Sequence, residues 1–307
     1  MTKLPTIAIA GGTGALGKDI VEGLLDTQFR SHYEDVIILT RNANTPEMVK
    51  WKERGASARE YSADNEQSIQ TALAGVDVLI NVVASRDDGF KGKIATAISS
   101  PLSSVKLYIP SEFGVDHYLH DFSHPEWDKK KIHFQAVSAR GDLKICRVFP
   151  GLFMEHSVGP WYGLDTKQGR YELVGSGSTP VSFTSIPDIG RGVASALANI
   201  SVDAFPEKLY FSGDSVSLVE IAELMKDAGA GEIQVSTLDL GEYKGKTLGA
   251  GTTLDPASYL RFLMAEGKID NKDQNDNEIV NPSQKFWKWK KMKGYAEETG
   301  GRPWVEA

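Results

Sequence analysis

The sequence predicts a doubly wound α/β fold, a parallel sheet with helices on both faces, from three observations. Short continuous apolar runs recur through the first half, helical patterns separate them, and a glycine cluster joins the first run to the first helix. Thr6–Ala10 is the first run, and the helix after it carries Ile20, Val21, Leu24 and Leu25. Residues 36–40 are the second run. Thr45-Pro46-Glu47 then opens a helix, with threonine as cap and proline at its first position. Residues 58–62 form a weaker third run, with Asp64 after it as a cap for the next helix. That helix, carrying Ile69, Ala72 and Leu73, stops at Gly75 before a fourth run at 76–83. Helical patterns at 93–99 and 127–140 precede the runs 105–109 and 144–149.

Beyond Phe149 the rhythm loosens. Residues 183–186, 209–212 and 233–237 read as strands, and 187–200 and 217–228 as helices, the latter fixed by a Ser217/Glu220 capping box. Glycine-rich residues 169–178 and 241–251 read as loops, and polar residues 271–278 as an exposed loop. At roughly 150 residues per domain, 307 residues make about two lobes. Residues 1–155 are the nucleotide-binding domain, its sheet completed by 184–212. Residues 156–307 make mainly a smaller C-terminal substrate-binding lobe.

Composition excludes several classes of function. Lysine plus arginine is 34 against 41 acidic residues, a net charge of −7, which argues against a nucleic-acid partner. Accordingly KFWKWKKMK (285–293) reads as a helix with Phe286 and Trp287 or Trp289 packed inward. The single cysteine, Cys146, rules out a disulfide framework and a multi-cysteine zinc site. No HExxH occurs, and His117, His120 and His124 lie on no recognisable helix, so no metal is expected. No run approaches the roughly 20 apolar residues of a membrane span, and the N-terminal run is too short for a signal peptide. A cytoplasmic protein without a membrane partner is expected; a homodimer is left open.

The strongest motif is Gly11-Gly12-Thr13-Gly14-Ala15-Leu16-Gly17, between a strand and a helix. Residues lacking a Cβ allow a tight turn and close backbone approach to a pyrophosphate, and the following helix offers unpaired N–H groups. Gly11, Thr13, Gly14, Ala15 and Leu16 are therefore cofactor-binding candidates, with Gly17 serving helix packing. The second strand ends in Thr40-Arg41-Asn42 without the acid that would bond a ribose 2′-hydroxyl. Arg41 suits a 2′-phosphate, with Lys50 as a second positive charge, so the expected cofactor is NADP(H). At the strand ends, Val83 and Ala84 flank the ribose or nicotinamide, and Phe149 and Pro150 wall it.

Hydride transfer to a carbonyl or activated alkene needs a proton donor. None of the ten tyrosines has lysine four residues later, so the Tyr-x-x-x-Lys device is absent. Ile109-Pro110-Ser111-Glu112-Phe113-Gly114-Val115-Asp116 ends the fifth strand. With the GGTGALG loop, the arginine after strand two and Gly151–Glu155 (GLFME), this segment resembles the NmrA-like, isoflavone-reductase-like group of atypical short-chain reductases. NDNEIVNPSQKFWKWK and GGRPW resemble its fungal branch.

The resemblance implies a Rossmann fold. It also implies that a lysine three residues after an aromatic is general acid or base beside the cofactor. Trp127-Asp128-Lys129-Lys130 fits, naming Lys130, with Lys131 as fallback. In such a cleft, desolvation and nearby cations would lower its pKa. Residues 153–162, including Trp161, would line an aromatic substrate pocket. Ser111, Glu112, Asp116, His133 and the other histidines read as structural. The implied function is an NADPH-dependent reductase of a small, aromatic or phenylpropanoid-like metabolite. The alternatives are a dehydratase or isomerase retaining bound NADP, and a non-catalytic regulator that binds NADP and a protein partner.

Overall fold

The computed structural model describes residues 3–83, 88–251 and 255–304. The strands of the first half are β1 (Thr6–Ala10), β2 (Asp35–Thr40), β3 (Ser57–Glu60), β4 (Val78–Asn81), β5 (Leu107–Ile109), β6 (Lys144–Ile145) and β7 (Arg147–Phe149). Between them run α1 (Ala15–Leu24), α2 (Pro46–Glu53), α3 (Glu66–Ala72), α4 (Asp88–Ser99) and α5 (Pro125–Ser138). The sheet order is β3-β2-β1-β4-β5-β6, parallel throughout. This is a doubly wound Rossmann-type sheet.

Alternation along β1 shows how both faces are covered. Ile7 and Ile9 join a core with Ile20, Val21 and Leu24 of α1, while Ala8 and Ala10 face a second core with Ile69 of α3 and Ile94 of α4. Each fully buried α1 aliphatic contributes about 1.5–3 kcal/mol. Thr45 caps α2 by accepting from Met48 N. At α3 the cap is Asn65, accepting from Ser68 N at 3.2 Å, and not the exposed Asp64.

The run 144–149 divides at buried Cys146. Its amide still donates to Tyr108 O at 2.9 Å, but Arg147 N turns to Glu207 O at 2.9 Å. In this way β6 stays on β5, and β7 pairs in parallel with β12 (Lys208–Tyr210).

The second half begins with β8 (Leu152–Phe153), α6 (Met154–Ser157), β9 (Leu164–Asp165), β10 (Arg170–Val174), β11 (Pro180–Thr184) and α7 (Ile186–Asn199). After β12 come β13 (Asp214–Ser217), α8 (Leu218–Met225), β14 (Gln234–Leu238), α9 (Leu240–Gly249), α10 (Pro256–Ala265), α11 (Asn277–Val280) and α12 (Met292–Glu298). β11 lies between β8 and β13, and β10 between β14 and β9. The capping box on α8 is formed in both directions.

Three stretches differ from the sequence reading. Residues 170–174 are a strand ended by left-handed Gly169 and Gly175, with Tyr171, Leu173 and Val174 buried. Residues 240–249 are a helix because Asp239 caps it, accepting from Glu242 N at 2.8 Å, and it packs on α10. Residues 285–291 are not helical. Asn281 Oδ1 accepts from Phe286 N, its Nδ2 donates to Trp287 O, and Asp188 accepts from Lys290 N at 2.7 Å. Side chains thus satisfy the backbone groups that a helix would use, while Trp289 packs on Phe211 and Phe286 on Phe29. The polar stretch 271–278 bonds the strand beside it: Asp276 accepts from Tyr210 N and Asn277 exchanges bonds with Ser212.

α7 meets α1 through facing glycines. A Cβ on Gly190 would stand 2.1 Å from Asp19 O, and one on Gly23 would stand 2.5 Å from Gly190 O. Gly190→Ala should force these helices apart and destabilise the protein by about 1–3 kcal/mol in urea unfolding; an unchanged midpoint would show that α7 shifts freely.

Candidate active site

The carboxyl ends of β1, β2, β4 and β5 lie along one edge of the sheet. Gly11 follows β1 at φ +85°, and a Cβ there would sit 2.9 Å from Val82 C and Val83 N. Gly14 N donates to Gly11 O at 2.9 Å, and Gly14 is the N-cap of α1 with no side-chain cap of its own. Thr13, Gly14 and Ala15 are exposed, and Leu16 is half-buried. A surface of backbone amides at a helix start fits a pyrophosphate, whose oxygens need donors and no intervening side chain. Gly17 faces inward, where a Cβ would be 2.0 Å from Gly11 O.

After β2, Thr40 Oγ1 bonds both N and O of Asn42 at 3.1 and 3.0 Å, which closes the turn and leaves Arg41 exposed. Lys50 is exposed in the last turn of α2, which runs back from this edge. Val83 N donates to Asn81 Oδ1 at 3.0 Å, and Val83 O accepts from Ser111 Oγ at 3.1 Å. Asn81, wholly buried, also donates to Tyr108 OH at 2.9 Å, and that hydroxyl lies 2.8 Å from His133 Nε2. Ala84 lies outside the described residues.

Lys130 comes from α5, its Nζ donating to Glu112 O at 3.4 Å. Burial pushes its pKa below the usual lysine value, although Glu112 and Glu126 pull the other way. Glu112 is itself 1% exposed, accepts from Tyr118 OH at 3.0 Å and lies 3.3 Å from His117 Nε2. Burial raises its pKa, and the Lys130 charge opposes the rise.

Two cavities meet at Lys130 and Glu112. One, about 540 Å³, lies between α4 and α5 and is lined by Asn81, Ser111 and His133. The other, about 220 Å³, is lined by Phe113, Trp127, Phe153, His156 and Tyr162. Lys129 reaches only the first, and Lys131 lies 3.8 Å from Asp128.

Residues 3–244 match the profile of the NmrA-like family. The chain belongs to that family. It is 27% identical over 204 residues to bifunctional pinoresinol-lariciresinol reductase 1 of Thuja plicata, covering 62% of this chain and 64% of that enzyme's length. It is 23% identical over 235 residues to oxidoreductase BOA1 of Botryotinia fuckeliana, 71% of this chain and 74% of that one. Among solved structures, AtPrR2 with NADP+ and (+)pinoresinol superposes with a TM-score of 0.78 at 19% identity, over 97% of this chain and 99% of that one.

The remaining residues singled out in the sequence hold this NmrA-like framework together. Phe149 has no exposed surface and packs at a tilt on Tyr210 with ring centroids 5.3 Å apart, while Pro150 O accepts from Thr184 Oγ1 at 2.5 Å. Phe153, a few residues on, is among those lining the smaller cavity. Asp116 accepts from Lys208 Nζ at 2.8 Å and from Tyr210 OH, tying its loop to β12. His120 and His124 pack against Trp127 at 4.9 and 4.6 Å, and His117 stacks on it at 6.3 Å. Among the described residues, no group of three or more His, Cys, Asp or Glu side chains could hold a metal, and no helix is long and apolar enough to cross a membrane. Asn81 escaped the sequence reading because it sits in an apolar strand; a lone amide there was the available signal.

Burial pushes His117 down to about 2 and His120 to about 4. Below pH 6.5 the unfolded chain takes up protons that the folded protein refuses. Their stabilisation is therefore complete above that pH and lost as pH falls, toward 4 for His120 and toward 2 for His117. Glu112, with its raised pKa, works in the opposite direction. His120→Phe keeps the ring stack and removes one such group. Between pH 7 and 5 the variant should lose about 2 kcal/mol less unfolding free energy than the parent chain. Equal losses in urea titrations at the two pH values would show that His120 does not titrate in this way.

Proposed function

We propose that this chain is an NADPH-dependent reductase of a small aromatic, phenylpropanoid-like molecule, with Lys130 as general acid/base. The observation that carries this reading is a half-buried lysine with a lowered pKa, standing between two cavities beside the carboxyl ends of β4 and β5. The relatives' activities support the substrate class, and the NADP+ bound to AtPrR2 supports the cofactor. The Botryotinia relative, together with NDNEIVNPSQKFWKWK and GGRPW, supports placement in the fungal branch.

The backbone amides of the β1–α1 loop would hold the pyrophosphate of NADPH, and Arg41 would pair with its 2′-phosphate. When bound, NADPH supplies the hydride. Lys130 gives its proton to the substrate oxygen on which negative charge grows, and a depressed pKa makes that transfer easier near neutral pH. The carbonyl of Glu112 fixes the ammonium in place. Trp127, Phe153 and Tyr162 keep water away and offer flat apolar faces to an aromatic ring.

Lys130→Met should lower kcat by about 100- to 10,000-fold while leaving NADPH affinity nearly unchanged. In the parent enzyme, activity should fall with rising pH at a value below that of an ordinary lysine, because the acid form is lost there. NADPH oxidation followed by absorbance over a panel of aromatic ketones, enones and benzylic ethers checks both. Turnover by the variant moves the role to another group, and NADPH binding without any turnover favours the regulator. Arg41→Ala should remove most of a preference for NADPH over NADH in calorimetric titration; equal affinities in the parent chain would reject the cofactor assignment.

A further inference from the structure

At the carboxyl ends of β4 and β5, a chain of hydrogen bonds fixes the proton of one imidazole. It starts at a backbone group, which settles the orientation of every side chain after it. Val83 N can only donate, and it does so to Asn81 at 3.0 Å, so the atom there is the side-chain carbonyl oxygen. The amide nitrogen of Asn81 therefore faces Tyr108 OH, donating at 2.9 Å. Tyr108 is wholly buried, so its hydroxyl proton needs an acceptor within the protein. An amide nitrogen cannot accept it, and the other atom in reach is His133 Nε2 at 2.8 Å. Nε2 is thus the acceptor, and the proton of the neutral ring sits on Nδ1.

A second proton on the ring would set an Nε2–H against the phenol oxygen and strand the buried hydroxyl. Burial and the Lys91 charge act in the same direction, holding the pKa of His133 down to about 4. The chain does not conduct protons, because it ends in an amide that has none to pass on. Its effect is to keep one ring in one tautomer with one donor left over. Among the described residues, Nδ1 has no hydrogen-bond partner.

His133 lines the space between α4 and α5, whose volume of about 540 Å³ lies within the roughly 300–1,000 Å³ of sites that enclose small ligands. Lys130 lines the same space from three residues earlier, on the same face of α5. Lys91 of α4 and Lys129 of α5 join it, and Ala95, Ile132 and Ala136 supply hydrocarbon between the charges. Ser111 faces it too, but its hydroxyl proton goes to Val83 O. Glu112 is the carboxyl among these lining residues, and its burial favours the neutral form. Walls of donors and hydrocarbon suit an apolar molecule that carries an acceptor oxygen.

We propose that His133, as a neutral ring donating from Nδ1, holds a carbonyl oxygen of the molecule that occupies the space between α4 and α5 beside Lys130. The proposal rests on the reading of this edge as the reductase site, so the state of the ring and binding test it apart from turnover. Nitrogen–proton correlation NMR of the full chain with isotope-labelled histidine should show His133 with a protonated Nδ1 and a bare Nε2, its signals identified by their loss in His133→Asn. Tyr108→Phe removes the hydroxyl from Nε2 and should let the proton exchange between the two nitrogens. Calorimetric titration of the NADP+-loaded chain should give 4-hydroxyacetophenone an affinity about tenfold above that of 4-ethylphenol, which has a similar shape and lacks the carbonyl oxygen. His133→Phe should erase most of that advantage and leave 4-ethylphenol within about twofold. His133→Asn, whose amide nitrogen stands close to the place of Nδ1, should keep part of the advantage and controls for misfolding.

A protonated Nε2 in the parent chain, equal affinities there, absence of binding by either phenol, or an undiminished advantage in His133→Phe overturns the proposal. Selective ketone binding without NADPH oxidation over the substrate panel would reject the reductase reading alone. Oxidation with the advantage undiminished in His133→Phe would reject only the role of His133.

Discussion

β1, β4 and β5 lie side by side and parallel, so the loops leaving their carboxyl ends must share one narrow strip of surface. The rest of the cleft follows from that crowding. The backbone after β1 comes so close to the backbone after β4 that only a residue without a Cβ fits at Gly11, and the same contact leaves the amides of the first turn of α1 facing outward. The loop after β5 is stitched to the loop after β4 by Ser111 on Val83 O, and Asn81 and Tyr108 carry the connection on to His133 of α5. The outward-facing amides of the β1–α1 loop and the helix that carries Lys130 are thereby fixed to the same strip, although their residues are more than a hundred positions apart in the chain.

Much of this was legible because burial on both faces writes a parallel strand as an unbroken apolar run. The runs at β1, β2, β4 and β5 are of that kind, and the capping residues Thr45 and Ser217 marked helix starts through hydrogen bonds local in sequence. What escaped was set by distant partners. No local pattern shows that the run 144–149 changes neighbours at Cys146, because the change depends on Glu207. The glycines around β10 and within α9 suggested loops, yet at β10 they only end the strand, and packing on α10 outweighs the weak helix propensity of α9. The KFWKWKKMK segment kept its aromatics inward, but Asn281 and Asp188 hold its backbone in a shape that helical periodicity cannot describe. At the site, the glycine loop and Arg41 announce themselves by type and position. Asn81 does not, since its placement belongs to the tertiary fold.

Helical geometry then bears on which of the three consecutive lysines faces the cleft. Successive side chains on α5 diverge by about 100°, so Lys129, Lys130 and Lys131 cannot share a direction. Lys131 lies within ion-pair range of Asp128, and Lys129 lines the space toward α4. Lys130 turns under the loop after β5, where the group in hydrogen-bond range of its ammonium is a peptide carbonyl. A carboxylate in that place would form a direct ion pair and hold the proton tightly. The carboxylate of Glu112 is instead engaged by Tyr118 and lies beside His117, and its own burial favours the neutral form. The lysine is thus anchored by a dipole while the nearest acid is turned elsewhere, so desolvation outweighs attraction and its pKa falls. A lysine held in this way gives up its proton more readily than a salt-bridged lysine would.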